Sequence, residues 1–489
     1  MIVLVPIVYI TIRATDRGWD PVRSTLWRAR TFELLGRSVR LGVVVTAATA
    51  VIGVGTAWLV ARTDVPGRDV WRVALAVPLA LPSYVAAWAW IGWNHDLAGF
   101  RGAAIVLITI SYPYVYLPVL AAFRRADPTL AEVARSCGRG PLRVFVTITL
   151  RQVAIAILGG SILVMLYVLS EFGAVSIMRY ETLTNVIYQS YRASFDRTPA
   201  AVLGCVLVGV TIVPLLLAVR FSDRERVAKV GTGAVRQAAT VRLGWFRWPA
   251  FGALLALLGV ALGVPAWNLV RWTRRGSSRA VWGDVLDAAG TTLWLGLLAA
   301  AVTVLVAFPV GVLSGHYPGR FSRSVTTVAY AGYALPGIVV ALSLVFFGVR
   351  YATPVYQRTP MLIGAYVVIF LSLAIGAIHA SVAQAPPVLD DVARSLGDSQ
   401  WRVWRRVTLP LAAPGVGAAA ALVCIAVMKE LPATLLLRPI GTDTLATRLW
   451  SLTDAAHYAA AAPYAATLVL VAAIPTALLT RASLTERRR

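Results

Sequence analysis

Long apolar runs alternate with short polar segments along almost the whole chain. A helix that crosses a bilayer needs about 20 apolar residues, and runs of that order lie near residues 39 to 61, 73 to 93, 103 to 123, 152 to 170, 200 to 220, 247 to 269, 289 to 314, 325 to 349, 361 to 383, 411 to 428 and 463 to 480. The pattern predicts eleven full spans. Residues 2 to 12, IVLVPIVYITI, add a twelfth that is short and lacks the basic flank of a signal peptide, and we read it as a first span whose start is missing.

The polar segments hold a second pattern. DPTLAEVARSCGRGPLRVFVTITL, residues 127 to 150, returns as PPVLDDVARSLGDSQWRVWRRVTL at a constant offset of 259, with 11 identities among the 23 pairs from Pro128/Pro387 to Leu150/Leu409. An internal repeat outranks other sequence signals. In each copy the apolar positions follow i, i+3, i+4 and i+7, which is one face of a helix: Leu130, Val133, Ala134 and Cys137, then Leu389, Val392, Ala393 and Leu396. Pro128 and Pro387 suit a first helical position, Asp127 can cap the first copy, and Gly138 and Gly397 stand where helices stop in the left-handed conformation. Each copy therefore reads as a short amphipathic helix, a glycine turn and a second helical run. A loop without a partner has little reason to keep one face twice, which argues against two ordinary solvated loops.

More of the chain repeats. Pro66-Gly67-Arg68 matches Pro318-Gly319-Arg320, and Ala80-Leu81-Pro82 matches Ala334-Leu335-Pro336. Pro82 and Pro336 lie inside apolar runs, where a proline kinks a helix; such kinks either line a route through the protein or serve packing alone. The order of span, span, span, amphipathic loop, span, polar outer segment, span is the same twice. The expected fold is all-α and membrane-integral, with about 12 spans in two fused six-helix halves related by a parallel pseudo-twofold.

Composition agrees. With 489 residues, 58% hydrophobic and 14% charged, and a mean hydropathy of +0.73, the chain is too apolar for a soluble globular protein. The net charge of +24 is scattered through short segments and forms no single basic face, so we expect lipid rather than nucleic acid as its counterpart. Placing both repeated loops in the cytoplasm puts 26 of the 46 basic residues inside and 19 outside, in modest agreement with the positive-inside rule. The most basic inner segment, 220 to 247, lies midway between the repeats and is the natural fusion linker. Cys137, Cys205 and Cys424 have no paired or metal spacing and read as small hydrophobes.

Candidate chemistry is sparse. Glu171 and Glu430 are again 259 apart and about 20 residues beyond the repeated loops, a rise of about 30 Å that places them near the outer surface. There they are either hydrated interfacial groups or part of an outer gate. The only lysines, Lys229 and Lys429, stand in Ala-Lys-Val and Met-Lys-Glu, so no Walker A loop exists to hold a nucleotide. His95, His316, His379 and His457 are isolated, without metal-ligand spacing. We expect no catalytic residues, no metal ligands and no cofactor.

The repeated loops resemble the cytoplasmic loop of ABC importer permeases, E-A-A, three residues, Gly, nine residues, I-x-L-P. Copy one supplies Glu132, Val133, Ala134, Gly138, Ile148 and Leu150, with Arg151 where the family has proline; copy two supplies Asp391 for the glutamate, then Val392, Ala393, Gly397, Val407, Leu409 and Pro410. In that family the loop is a coupling helix that docks in a groove of the ATP-binding subunit. The segments EFGAVSIMRYETLT and KELPATLLLRPIGTDTLATRLW after the two glutamates look like the ferric-iron type of two-domain permease, and the likeness runs from about residue 36 to 480.

That resemblance implies a type I ABC transmembrane fold with domains at 36 to 220 and 287 to 480. Around them lie a short span and outer segment at 1 to 35, a basic linker, span and outer segment at 221 to 286, and a basic tail at 481 to 489. It implies a permease subunit, not an enzyme, of an ATP-driven importer of ferric iron. The implied partners are two copies of a cytoplasmic ATP-binding subunit, an extracytoplasmic solute-binding protein and membrane lipid. The implied location is the bacterial inner membrane, multi-pass, with both termini cytoplasmic. It assigns ATPase coupling to Glu132, Val133, Ala134, Gly138, Asp391, Val392, Ala393 and Gly397, and a pathway or outer gate to Pro82, Glu171, Pro336 and Glu430. Related permeases carry polyamines, thiamine, sulfate or phosphonates on the same architecture. An ion-coupled secondary transporter is the rival from another class; the duplicated amphipathic helix and the lack of a midspan acidic site count against it.

Overall fold

The computed structural model describes residues 4–193, 196–228, 240–276, 282–316, 335–383 and 388–485, with the single positions 319, 322, 325 and 332. Among the described residues the chain is helical, and the one β-type contact is a parallel bridge between Thr63 and Val241. Backbone polar groups in hydrocarbon must be satisfied within the protein, which is why apolar runs of this length become helices. Eight described helices are long and apolar enough to cross a membrane: Ala29–Arg62, Phe100–Arg125, Pro141–Ser170, Thr198–Leu217, Gly244–Arg274, Trp282–Gly315, Thr359–Val382 and Gln400–Met428. Three shorter apolar helices, Val5–Thr15, Gly337–Tyr351 and Tyr458–Ala472, fall on three further expected runs. Part of the 325 to 349 run, Pro318 and Arg320 of the repeated Pro-Gly-Arg, Ala334 and Pro387 lie outside the described residues.

The remaining run, 73 to 93, departs from expectation. Rather than one kinked helix it is a pair, Arg68–Ala80 and Ser83–Trp93, bent by 87°. Pro82 has extended backbone, φ −63° and ψ 141°, and the second helix starts after it. Pro336 behaves alike, φ −59° and ψ 134°, ahead of Gly337–Tyr351. The expected kinks are thus starts of new helices: a proline has no N–H to give to a preceding turn, but it fits where a helix begins.

The chain forms two compact units. One holds Phe32–Asn185 and Gly209–Trp272. Its core is aromatic, with Trp88, Tyr112, Tyr116 and Phe123 fully buried. Two glycines bring helices close around the turn at Tyr112 to Tyr116: a Cβ on Gly53 would stand 2.8 Å from Val115 Cβ and 2.9 Å from Tyr116 N, and one on Gly160 2.8 Å from Tyr114 O. Small residues at such crossings let helix backbones pack where lipid offers no hydrophobic drive. The late helix Arg247–Leu258 returns to the broken pair, with Phe251 edge-on to Trp71 at 5.4 Å. The other unit holds Met1–Thr31, Val186–Val208 and Thr273–Arg489. Here the first helix, Leu4–Thr15, packs along Gly337–Tyr351: Tyr9 donates to Phe346 O (3.3 Å) and Ser343 to Pro6 O (2.8 Å), while Asp16 pairs with Arg13 and Arg350. Each unit therefore includes a leading helix from the sequence half that supplies the rest of the other.

The glycine crossings make a stability prediction. Gly53→Val forces Val115 and the Tyr116 backbone apart and should cost about 1–3 kcal/mol, seen as a lower thermal midpoint of the detergent-extracted protein. Gly55→Val, with nothing within 4 Å of its Cβ position, should stay within about 0.5 kcal/mol of the parent. Equal shifts in both variants would contradict the crossing.

Candidate functional site

The two repeated loops fold the same way, each within its own unit. Their helices are Thr129–Ser136 and Val388–Ser395. Asp127 Oδ1 accepts both the backbone N–H (2.9 Å) and the hydroxyl (2.6 Å) of Thr129, and these bonds hold its carboxyl below the usual pKa range. At the other end Gly138 (φ +76°) and Gly397 (φ +88°) take the left-handed conformation. Arg139 N donates to Ala134 O and Gly138 N to Arg135 O; Asp398 N to Ala393 O and Gly397 N to Arg394 O repeat the arrangement. This is the six-to-one, five-to-two closure of a Schellman turn, and it needs a residue that tolerates positive φ.

After each glycine the chain runs through a short helix, Pro141–Val144 or Gln400–Val403, and then a π-helical turn, Phe145–Thr149 or Trp404–Thr408, before the next span. The aromatic that opens each π-turn is anchored edge-on, Phe145 against Trp58 (5.6 Å) and Trp404 against Phe308 (5.8 Å). π-Turns recur at functional positions, and no periodicity in the sequence signals them.

The apolar face anticipated for these helices is divided. Ala134 and Ala393 are buried, at 6% and 9% exposure, whereas Leu130 (59%), Val133 (54%), Val392 (47%) and Leu396 (81%) are open. Beyond the turns, Leu142 and its counterpart Trp401 are also exposed. Glu132 and Asp391 are exposed on the same helices, and Asp391 pairs with Arg394 at 2.9 Å. The chain so presents two similar apolar patches edged with charge; patches of this kind mark interaction sites.

The four residues expected near the pathway come together as two equivalent pairs. Glu171, beyond Pro141–Ser170, accepts a hydrogen bond on Oε1 from Ser83 Oγ (2.7 Å), the residue after Pro82, and another from Ala174 N (2.9 Å). Glu430 accepts on Oε1 from Ala433 N (3.0 Å), and a Cβ on Gly337, the residue after Pro336, would lie 2.8 Å from that same oxygen. Gly337 therefore allows the close approach that the serine bond fills in the first pair. Thr184 donates to Glu171 O (2.6 Å) and Thr434 to Glu430 O (2.8 Å), with Tyr366 bonded to Thr434 (2.7 Å).

The hydrated interfacial reading is corrected for Glu171, which is only 7% exposed, while Glu430 is half-buried. The rise along the helix could not show that the chain turns back over the carboxylate, through Gly173–Ile177 in one unit and Pro432–Leu437 in the other. Ser83, Thr184, Tyr366 and Thr434 were not anticipated; only Ser83 and Gly337, each next to a singled-out proline, carried any sequence hint. Among the described residues no three His, Cys, Asp or Glu side chains could share a metal ion. His379 bonds Ser314 Oγ (3.0 Å) instead. A cavity of about 570 Å³ lined by Glu33, Gly36, Arg37, Arg40 and Tyr180 contains none of the anticipated residues.

Comparison with known proteins agrees with this geometry. Residues 50–227 and 307–483 each match the family described as binding-protein-dependent transport system inner membrane component. The chain is 35% identical over 478 residues, 97% of its own length and 94% of the relative's, to the Fe(3+)-transport system permease protein FbpB 2 of Haemophilus influenzae. It is 26% identical over 252 residues, 47% of its length and 87% of the relative's, to the sulfate transport system permease protein CysW of Escherichia coli. Two family domains on a helical membrane-spanning fold, with likeness to transport permeases, describe a channel subunit. The chain belongs to the binding-protein-dependent transport system inner membrane component family, as a fused two-domain, multi-pass inner-membrane permease of the ABC type.

Proposed function

We propose that this chain is the complete membrane channel of an ATP-driven importer, taking ferric iron from an extracytoplasmic binding protein. The observation that carries the importer reading is the duplicated loop helix, closed alike at its C-terminal end in both copies, with Leu130, Val133, Val392 and Leu396 exposed. Docking each helix in a groove of one ATP-binding subunit buries these side chains, and each fully buried aliphatic side chain contributes about 1.5–3 kcal/mol. Two loops call for two copies of that subunit. Iron as cargo is supported by end-to-end likeness to a permease named for Fe(3+) transport. The relative named for sulfate transport matches only 47% of the chain, which makes another solute on the same architecture the second reading.

In this reading both loops, the 220 to 247 linker and both termini face the cytoplasm, and the two ABC transmembrane domains lie at 36 to 220 and 287 to 480. Nucleotide-driven motion enters through Glu132 to Gly138 and Asp391 to Gly397. It reaches the outer gate at Pro82 with Glu171 and Pro336 with Glu430, where a carboxylate fixes the start of a broken span. Iron passes as cargo in this reading. An ion-gradient carrier needs a titrating site in mid-membrane, whereas Glu171 and Glu430 follow the ends of their spans and cap short helices.

Three measurements test this. Gly138→Val and Gly397→Val place β-branched residues at positive φ; both proteins should insert, yet retain less than about a tenth of the ATPase-subunit association and transport. Normal co-purification and transport in both would refute the coupling role. Cysteine labels in 220 to 247 should react only from the cytoplasm and labels in 181 to 193 only from outside, and the reverse result overturns the orientation. Calorimetric titration of the cognate binding protein should show tight ferric-iron binding; tight binding of sulfate, spermidine, thiamine or aminoethylphosphonate without iron would sink the iron assignment and leave the importer standing.

A further inference from the structure

The first loop hangs from two side chains. Ala126 and Asp127 join the Pro113–Arg125 helix to the loop helix, and both their carbonyls are engaged: Arg62 donates from Nη2 to Ala126 O (3.0 Å) and Gln152 from Nε2 to Asp127 O (3.1 Å). Charge-assisted bonds of the Arg62 kind are the strong ones. Arg62 is also the last residue of the Ala29–Arg62 helix, and its own carbonyl accepts from Val241 N (2.8 Å). Asp64 N returns a bond to Val241 O (3.3 Å), and Asp64 Oδ1 accepts from Leu243 N (2.8 Å). Val241 and Leu243 belong to the segment that joins the two halves of the sequence. One residue thus holds that segment with its main chain and the root of the loop with its side chain.

The corresponding corner of the second half is built differently, and the counterparts of Ala126 and Asp127 lie outside the described residues. The offset of 252 that relates Pro66 to Pro318 sets Ser314 opposite Arg62, and Ser314 Oγ bonds Gly311 O (3.0 Å) and His379 Nδ1 (3.0 Å).

We propose that Arg62 is a positioning residue that ties the joining segment, through Val241, to the first coupling loop and sets that loop's attitude. The tie itself rests on geometry; its consequence for transport rests on the loops being coupling loops. Arg62→Ala removes the side-chain bond and leaves the bridge. Val241→Pro removes the N–H that holds the segment and leaves the guanidinium in place. Arg62→Lys keeps a charged donor without the planar fork.

Hydrogen–deuterium exchange on the full chain in lipid nanodiscs reads the tie directly. Both Arg62→Ala and Val241→Pro should speed exchange of the Thr129–Gly138 amides about tenfold, with 388 to 397 unchanged and Arg62→Lys within about threefold of the parent. With the ATPase subunits added, Arg62→Ala should lower solute moved per ATP hydrolysed, and Arg62→Lys should restore it. Unchanged exchange at 129 to 138 in both main variants overturns the proposal. Faster exchange in Arg62→Ala alone overturns the link to the joining segment. Faster exchange in both with an unchanged transport ratio upholds the tie and overturns the coupling reading instead.

Discussion

A helix that breaks at a proline in or beside a bilayer exposes amide groups with little water to receive them, and this constraint organises each unit. Unpaired backbone donors in hydrocarbon cost several kcal/mol apiece, so the starts of the broken segments have to be served by the protein. Glu171 does so at the start of Gly173–Ile177, where it takes Ala174 N, and it anchors the start of Ser83–Trp93 by taking the Ser83 hydroxyl. A carboxylate at helix N-termini is also favoured by their partial positive charge. Glu430 serves Ala433 N in the same way and lies against Gly337. In the first unit the helix that starts after the bend, the short returning helix and the end of the long span are fixed to one another by the Glu171 side chain. That places the glutamate at the junction of the span that follows the loop and the short helix that turns back.

The spans and loops were legible because both are set by local rules. Apolar length predicts a membrane helix, and spacing of Leu130, Val133 and Ala134 with Asp127 before and Gly138 after predicts a capped helix that stops at positive φ. The constant offset of 259 then did what no single copy could, by showing that the same geometry is required twice. What stayed hidden depends on contacts distant in sequence. The burial of Glu171 needs Ser83, 88 residues earlier, and the packing of Tyr9 needs Phe346, 337 residues later. The 87° break at Pro82 was visible as a proline but not as a change of direction, since a proline is compatible with either a kink or a new start. The π-turns at Phe145 and Trp404 replace i to i+4 bonds with i to i+5 and leave the apolar pattern almost unaltered, so hydropathy cannot detect them.

The chain's two repeats are alike where a symmetric partner is expected and unlike elsewhere. The Schellman closures, the buried Ala134 and Ala393, and the anchored aromatics Phe145 and Trp404 agree closely. By contrast, the carboxylate in the first motif is Glu132 and in the second Asp391, Leu142 stands opposite Trp401, and Arg62 stands opposite Ser314. Matching backbones with differing side chains are what two identical subunits binding a single fused chain would select: the groove fixes the helix and its termini, while neighbouring positions are free to drift.

Fusion adds an asymmetry that separate subunits could not have. A segment joining two halves must leave one and enter the other, and its ends have to be accommodated by whichever backbone lies near. Val241 and Leu243 use the corner at Arg62 to Asp64, which is also the corner that carries the root of the first loop. These bonds share one residue, so under the proposed tie a movement of the first loop is passed to the bridge through the Arg62 side chain. The second loop answers to no such attachment through Ser314, so the two loops can differ in stiffness even where their helices are nearly superposable in sequence. A fused channel can in this way carry, in its own covalent connection, a local difference that its internal repeat does not show.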